Sequence, residues 1–214
     1  MSVIQEVSQF LQRGRGKQVA ALVQQALDEG IAPKTILDEG LLEGMNIIGE
    51  KFKNNEVFVP EVMIAARAMN AGTAVLKPYL KSDDAQANGV VVIGTVKGDQ
   101  HDIGKNLVRM MMEGKGLKVI DLGVNVSAEQ FVTTAEKEDA DIICCSALLT
   151  TTMPEMKRVL SVLEQEGFRD KVTVMVGGAP VTESFCKDIG ADIYTEDAAS
   201  AADAAVEVCN HKNK

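Results

Sequence analysis

Two different patterns of apolar positions divide this chain of 214 residues near residue 85. In the first part, apolar residues recur every three or four positions across 32–52 and again from 60 to 80. This spacing places an apolar stripe along one face of a helix. Shorter stretches at about 2–13 and 17–29 complete a predicted four-helix bundle.

Three glycines interrupt the third predicted helix, at Gly40, Gly44 and Gly49. Glycine inside a helix is less stable than alanine at the same position. We therefore expect these glycines to permit close approach, either of a neighbouring helix or of a ligand.

After residue 89 the pattern changes to short β-branched runs separated by helical stretches. The runs predict strands at 89–96, 117–123, 140–146, 171–178 and 191–195, and helices at 104–115, 128–138, 153–167, 181–189 and 198–209. Strands that alternate with helices predict a parallel sheet with helices on both faces. The predicted fold class is therefore α/β, with an N-terminal four-helix bundle and a C-terminal Rossmann-like (flavodoxin-like) sheet.

A polar segment, KSDDAQANG at 81–89, separates the two patterns and is the best candidate for a linker. We expect a helical domain over 1–85 and an α/β domain over 89–214. In such sheets, ligands bind beyond the carboxyl ends of the strands, where the strand order reverses. Three loops point to that edge, because GTVKGDQHDIGKN, SALLTTT and GGAP lie at the ends of the first, third and fourth predicted strands.

The charge of the chain argues against nucleic acid as a partner. The chain carries 31 acidic and 22 basic residues, for a net charge of −9, whereas nucleic-acid phosphates require a basic face. Aromatic residues make up 4% of the chain and tryptophan is absent, which also disfavours base stacking.

The sequence also argues against a membrane location. No apolar run approaches the roughly 20 residues that a membrane helix needs, and the first residues lack the pattern of a signal peptide. We therefore expect a cytoplasmic protein without a membrane partner. Cysteines in that compartment are expected to be buried, reduced thiols, and the chain has four: Cys144, Cys145, Cys186 and Cys209.

The loop after the first strand resembles a phosphate-binding loop only superficially. Gly98 and Gly104 enclose five residues and are followed by a lysine and Asn106, whereas the P-loop has four residues between its glycines and a serine or threonine after the lysine. Asp99 and Asp102 would also bring negative charge to a phosphate site. We therefore reject nucleotide binding here.

A purely structural role explains only part of this loop. Asp102 can cap the helix that begins near Gly104, but capping leaves Asp99 and His101 without a role. A histidine with a carboxylate nearby suits metal ligation, because the carboxylate holds one ring nitrogen and raises the basicity of the other. The only other histidine, His211, lies in the tail, and a lone protein ligand cannot build a zinc site. It can supply one axial ligand to a metal that a macrocycle already holds.

At this point the chain resembles a known family. The run DQHDIGKN (99–106) closely resembles the D-x-H-x-x-G motif of cobalamin-binding domains of the methionine synthase type. Three further stretches are similar to that family: 43–69 to its helical cap, SALLTTTM (146–153) to its S-x-L-x-T loop, and VGGAP (176–180) to its paired glycines. The resemblance covers nearly the whole chain, and its two-part layout is most similar to corrinoid proteins of methylotrophic methyltransferase systems, which serve methylamines, methanol or betaines.

The resemblance implies that cobalamin is the cofactor and that His101 binds its cobalt after displacing the cofactor's own dimethylbenzimidazole base. The displaced nucleotide tail would then run past Gly177 and Gly178. Asp99 and Thr152 would form a relay behind His101, with Thr152 at the place of a serine in methionine synthase. The implied cofactor site comprises Asp99, Gln100, His101, Asp102, Ile103, Gly104, Ser146, Leu148, Thr150, Thr152, Gly177, Gly178 and Ala198, with Met45, Phe52, Val59 and Val62 in the cap.

For the cap residues, an ordinary core role is an open alternative. Apolar residues at helical spacing are usually core. Only the family match assigns Phe52, Val59 and Val62 to the face that would cover a methyl group bound to the cobalt of the cofactor.

The implied function is that of a methyl carrier whose cobalamin alternates between methylcob(III)alamin and cob(I)alamin. Its implied partners are a substrate:corrinoid methyltransferase, a methylcorrinoid methyltransferase that serves tetrahydrofolate or coenzyme M, and a reductive activase. Two alternatives are a cobalamin-dependent sensor or regulatory protein and the small subunit of a mutase. The identity of the upper ligand, methyl or adenosyl, discriminates between them.

Overall fold

The computed structural model describes residues 2–80 and 88–212. The chain forms two compact units, Met1–Ala87 with Gly114–Gly116, and Asn88–Glu113 with Leu117–Lys214. Most of the predicted linker lies outside the described residues, so the domain boundaries at 85 and 89 stay a prediction.

The first unit is helical, as the apolar stripes predict. Its N-terminus is fixed by a capping box, in which the Gln5 backbone N–H donates to Ser2 Oγ (3.3 Å) and the Ser2 N–H donates to Gln5 Oε1 (3.0 Å). The α-helices are α1 (Val3–Gln12), α2 (Gly16–Asp28), α3 (Pro33–Thr35), α4 (Glu43–Lys53) and α5 (Val59–Leu76), and a 3₁₀ turn follows at Lys77–Tyr79.

The prediction of one regular helix over 32–52 is wrong in one respect, because Ile36–Leu42 is π-helical. The N–H of Glu43 donates to the carbonyl of Asp38, five residues earlier. Ile36 and Leu41 are also five residues apart and are both fully buried. The wider turn brings this pair to the core, whereas a regular helix would not align them.

Two of the glycines in this region permit close helix packing. A Cβ at Gly40 would lie 3.1 Å from Val7 Cγ1, and a Cβ at Gly44 would lie 3.1 Å from Leu11 Cδ2. Because Val7 and Leu11 belong to α1, the expected close approach of a neighbouring helix is confirmed at these two positions.

The second unit is a five-stranded parallel sheet with the order β2-β1-β3-β4-β5. This is the flavodoxin-like order, and it confirms the predicted α/β fold class. The strands are β1 (Val90–Thr95), β2 (Lys118–Asp121), β3 (Ile142–Ser146), β4 (Thr173–Gly177) and β5 (Ile193–Tyr194). The helices are α6 (Ile103–Gly114), α7 (Ala128–Lys137), α8 (Pro154–Gln165), α9 (Glu183–Ile189) and α10 (Ala198–Lys212), with a 3₁₀ turn at Arg169–Lys171.

Both faces of the central strands are buried. Val92 belongs to a core cluster that includes Phe131 of α7 and Leu160 of α8. Val91 and Ile93 point to the opposite face, since side chains alternate along a strand, and they are also buried. This burial on both sides explains why the strands appear in the sequence as continuous β-branched runs.

All four cysteines are buried and none of them forms a disulfide, as expected from the sequence. Burial raises the pKa of Cys145 to about 12 and raises the pKa of Cys144 further. Such thiols stay protonated and unreactive. Within the described residues, no helix is both long enough and apolar enough to span a lipid bilayer.

Candidate functional site

The candidate site lies at the carboxyl edge of the sheet, where β1 and β3 are neighbours and the strand order reverses. The strand register pairs Thr95 with Ser146, and Ser146 with Gly177. Three polar or small residues from β1, β3 and β4 therefore form one row at the end of the sheet. The loops that carry the predicted site residues begin directly beyond this row.

The loop after β1 holds His101 against Asp99. Nδ1 of His101 lies 2.7 Å from Oδ1 of Asp99, and the His101 backbone N–H donates to the same oxygen at 3.1 Å. The Asp99 side chain is fully buried, whereas the imidazole is 50% exposed. The buried carboxylate therefore holds the imidazole on its inner side, and the outer part of the ring is exposed to solvent.

The second oxygen of Asp99 binds the loop after β3. The backbone N–H groups of Leu148 and Leu149 donate to Oδ2 at 2.8 and 3.2 Å. The Thr152 hydroxyl lies 2.8 Å from the same oxygen and 2.9 Å from the carbonyl of Leu149. One carboxylate thus joins the loops after β1 and β3, and the structure brings Asp99, His101 and Thr152 into one hydrogen-bonded chain.

These contacts fix the charge of Asp99. Burial by itself raises the pKa of this carboxyl, but hydrogen bonds from His101, Leu148 and Thr152 outweigh it and hold the pKa well below its usual range. Because an ionised carboxylate only accepts hydrogen bonds, Nδ1 of His101 is the donor. A neutral imidazole then keeps its lone pair on Nε2, which is the form that ligates a metal.

An exposed apolar surface accompanies the imidazole. Ile103 is 76% exposed, and Leu148 and Leu149 are 43% and 42% exposed. Ile103 follows His101 by two residues, and both leucines are tied to Asp99 through their backbones. Large apolar side chains left in solvent are typical of a surface that binds a partner or a ligand.

Glycine occurs at three positions of the site for different structural reasons. A Cβ at Gly178 would lie 1.9 Å from the carbonyl oxygen of Ala147, and φ at Gly178 is 132°. Packing within the protein therefore requires this glycine on its own account, and its contact with a cofactor tail stays a prediction. At Gly104 and Gly177, by contrast, an added Cβ would meet no protein atom within 4 Å. The protein itself does not require a glycine at either position.

Other predicted residues lie around this cluster or apart from it. Asp102 precedes α6, and its carboxylate accepts a hydrogen bond from the Asn106 amide at 3.1 Å. Gln100 and Thr150 are exposed, and Ala198 is buried at the start of α10. The contacts described above include none of these three.

The four predicted cap residues belong to the helical unit. Met45 and Val62 are buried, at 2% and 0% exposure, and Phe52 and Val59 are half-buried. Burial of Met45 and Val62 is what the core alternative expects. Their assignment to the cofactor face stays a prediction.

Several residues of the site were missed by sequence reasoning. The Thr95 hydroxyl donates to the carbonyl of His101 at 2.8 Å. The amide oxygen of Asn125 accepts from the Gly98 N–H at 2.7 Å. Lys105 is buried, and its Nζ lies 2.5 Å from Oδ1 of Asp121. Lys105 lies inside the motif run and Thr95 lies six residues before His101 in the same stretch, whereas the contact of Asn125 with Gly98 joins segments that are distant in the sequence.

Among residues 2–80 and 88–212, no group of three or more histidine, cysteine, aspartate or glutamate side chains could hold a metal ion. The chemistry available at this edge of the sheet is therefore that of one oriented imidazole. It can complete the coordination of a metal that another group holds, and it cannot by itself assemble a zinc site.

Comparison with known proteins extends this description. The family described as "B12 binding domain" matches residues 89–206, and a second family of the same description matches residues 3–77. The chain is 41% identical to a corrinoid protein of Desulfitobacterium hafniense, over 98% of this chain and 97% of that one. It is 42% identical to the dimethylamine corrinoid protein of Methanosarcina barkeri, over 96% of this chain and 97% of the relative.

Solved structures agree with these similarities. The methanol:cobalamin methyltransferase complex of Methanosarcina barkeri contains a chain that matches with a TM-score of 0.89 and 30% identity, covering 97% of this chain and 80% of that one. A cobalamin-binding protein of Desulfitobacterium hafniense matches with a TM-score of 0.78 and 29% identity, covering 97% of each chain.

Proposed function

We propose that this chain, which belongs to the family of corrinoid proteins built from B12-binding domains, is a methyl carrier that binds cobalamin with His101 as its lower axial ligand. The cofactor's own base would be displaced from the metal, an arrangement called base-off, His-on. The observation that carries this proposal is the His101 ring itself, held at Nδ1 by a buried carboxylate and exposed on its outer side.

The described residues fit a cobalamin molecule. Ile103, Leu148 and Leu149 offer an exposed apolar surface of the kind that a corrin ring can cover. At Gly104 and Gly177, the space that a Cβ would occupy holds no protein atom within 4 Å. Glycine is used where another group approaches the backbone closely, so these two positions support a corrin edge at Gly104 and a nucleotide tail at Gly177.

When bound, cobalamin would supply a cobalt centre that accepts and releases a methyl group. His101 would hold this group through Nε2, and Asp99 would keep the imidazole in the tautomer that leaves Nε2 unprotonated. An Nε2 that is not held by the metal would be able to take up a proton, and the Asp99 carboxylate would stabilise the resulting imidazolium. The Thr152 hydroxyl and the Leu148 N–H keep that carboxylate ionised.

The proposed partners are methyltransferases. The similar chains include dimethylamine and trimethylamine corrinoid proteins and a chain of a methanol:cobalamin methyltransferase complex. We propose that one methyltransferase loads the carrier from a small methylated substrate. A second methyltransferase would pass the methyl group to tetrahydrofolate or coenzyme M, and a reductive activase would restore the reduced carrier. No nucleic-acid or membrane partner is proposed.

Single-turnover transfer tests this function. The purified chain is loaded with cobalamin, reduced, and mixed with a dimethylamine methyltransferase and dimethylamine that carries a labelled methyl group. The proposal expects one label per loaded chain, which a second methyltransferase then removes. A loaded chain that takes no label from dimethylamine, trimethylamine, monomethylamine, methanol or betaine with the matching methyltransferases would overturn the carrier function.

A further inference from the structure

We infer that Asn125 is a positioning residue of the His101 site: it holds the backbone of Gly98 and Asp99 and thereby fixes the direction in which the imidazole is presented. This inference rests on the proposed role of His101 as a ligand. It assigns a function to a residue outside the motif, on the loop between β2 and α7.

Asn125 binds the motif loop in two ways. Its amide oxygen accepts a hydrogen bond from the Gly98 N–H at 2.7 Å, and its own N–H donates to the carbonyl of Asp99 at 3.0 Å. Gly98 and Asp99 are the residues at which the chain turns out of β1 toward His101. The peptide units before Gly98 and after Asp99 are therefore both held, one by the side chain of Asn125 and the other by its backbone.

The backbone of Asn125 has a conformation that its position in the chain does not explain. Three non-glycine residues among those described have positive φ, namely Asn55 (57°), Asn125 (54°) and Asp139 (49°). Asn55 follows the end of α4, and Asp139 follows the end of α7, where the left-handed conformation commonly closes a helix. Asn125 follows a strand and ends no helix.

The side-chain contact supplies the missing reason. Gly123, two residues earlier, also has positive φ (81°), and it is a glycine, which adopts this conformation without strain. A glycine at 125 would relieve the strain as well, but it would lose the acceptor for the Gly98 N–H. An asparagine in the left-handed region keeps both the turn and the acceptor.

The opposite end of the loop is also held. The Thr95 hydroxyl donates to the carbonyl of His101 at 2.8 Å, and the Val126 N–H donates to the carbonyl of Thr95 at 3.0 Å. Asn125 thus lies next to Val126, the residue through which its loop pairs with the end of β1. Removing its side chain frees the Gly98 end of the loop and leaves the other end in place, which should let the imidazole rotate away from Asp99.

Asn125→Gly isolates the side-chain contact, because glycine keeps the left-handed turn and the backbone donor. Asn125→Asp keeps an acceptor oxygen and also tolerates the turn, so it serves as the conservative variant. Asp139→Gly is the matched control, since it replaces another exposed positive-φ residue of the same unit.

The first readout needs no cofactor. Nitrogen-15 NMR of the apo protein resolves the imidazole nitrogens of its two histidines, and His211→Gln identifies the signals of His101. In wild type, Asn125→Asp and Asp139→Gly, we expect Nδ1 to be the protonated nitrogen. In Asn125→Gly, the shifts of Nδ1 and Nε2 should move toward each other as both tautomers become populated. Unchanged shifts in Asn125→Gly would overturn the inference.

The second readout is the dissociation constant for cobalamin. Loss of one hydrogen bond to the loop predicts a constant raised about five- to tenfold in Asn125→Gly and unchanged in Asp139→Gly. Because Asn125 acts through the imidazole, the effect should disappear in a His101→Ala background. An equal effect with and without His101 would contradict the inference. If His101→Ala alone leaves the constant unchanged, the ligand role fails instead, and the apo NMR result still decides the positioning role.

Discussion

Nδ1 of His101 lies 2.7 Å from Oδ1 of Asp99, and the carboxylate is fully buried while the imidazole is half exposed. The contact does two things at once. It fixes the direction of the ring, and it determines which ring nitrogen carries the proton. The outer nitrogen, Nε2, is therefore already oriented and unprotonated before a cofactor binds. This lowers the entropy cost of ordering the site on binding.

Asp99→Asn should reverse this arrangement. Asparagine has one acceptor oxygen, and if this oxygen serves Leu148 and Thr152, the amide NH₂ faces His101. The ring must then accept at Nδ1 and carry its proton on Nε2, which blocks ligation, and the His101 backbone N–H loses its acceptor. We expect weaker cobalamin binding and a free energy of unfolding lowered by about 1–3 kcal/mol.

Urea unfolding of the apo protein and cobalamin titration measure these two effects. Asp102→Asn is the matched control, because Asp102 lies in the same loop but is exposed and bonded to the Asn106 side chain. Its free energy of unfolding should change by less than about 0.5 kcal/mol. If both variants behaved alike, Asp99 would have no special role in the loop.

Replacement by alanine should affect stability very differently at the neighbouring positions Gly177 and Gly178. Gly178→Ala should lower the free energy of unfolding by more than about 3 kcal/mol, because the new Cβ meets the carbonyl of Ala147. Gly177→Ala should fold normally, since its Cβ meets no protein atom within 4 Å.

Gly177→Ala should nevertheless bind cobalamin more weakly if the nucleotide tail passes that position. Cobinamide, which lacks the tail, provides the comparison. The variant should bind cobinamide as well as wild type does. A similar loss for both compounds, or no loss for either, would remove the tail from this part of the sheet edge.

The ion pair between Lys105 and Asp121 should make stability depend on pH. Burial raises the pKa of Asp121, but hydrogen bonds from Lys105 and the Gly123 N–H outweigh it, so the pKa lies below its usual value. A lowered pKa in the folded chain means that the pair stabilises the fold above about pH 4 and that this contribution fades as the pH falls further.

Asp121→Asn should therefore lower the free energy of unfolding by about 1.5–3 kcal/mol at pH 7, and the gap to wild type should narrow toward pH 3. Glu183→Gln is the control, because Glu183 also pairs with a lysine, but that lysine is exposed whereas Lys105 is buried. It should change stability by less than about 0.5 kcal/mol. A gap for Asp121→Asn that stays constant with pH would mean that the charge of Asp121 does not contribute.

Much of this site was predictable because the motif residues are close in sequence. Asp99 and His101 lie on one loop after a strand, and Gly104 lies in the first turn of the helix that follows. A parallel sheet brings the loops after β1 and β3 to the same edge whatever their detailed contacts. Thr152 followed from the family resemblance, and its hydroxyl lies 2.8 Å from Asp99 in the structure.

Other features depend on tertiary contacts that leave no local signal. Asn125 meets Gly98 across a separation of 27 residues, and neither sequence neighbourhood predicts the pairing. The π-helical turn at Ile36–Leu42 was missed because Leu37 and Leu41 also satisfy a regular helix. At Gly178, sequence cannot distinguish a glycine needed by a ligand from one needed by the backbone of Ala147, and the steric need is visible only in the structure.

The central claim is that His101 ligates the metal, and electron paramagnetic resonance of the Co(II) form tests it most directly. Wild type and His101→Ala are loaded with cobalamin, reduced by one electron and measured with natural-abundance and then with nitrogen-15 histidine. Our account predicts that an axial nitrogen splits the wild-type signal, that the splitting changes with the label, and that it is absent in His101→Ala. A splitting that ignores the histidine label and persists in His101→Ala would contradict it, because the cofactor's own base would then occupy the lower position.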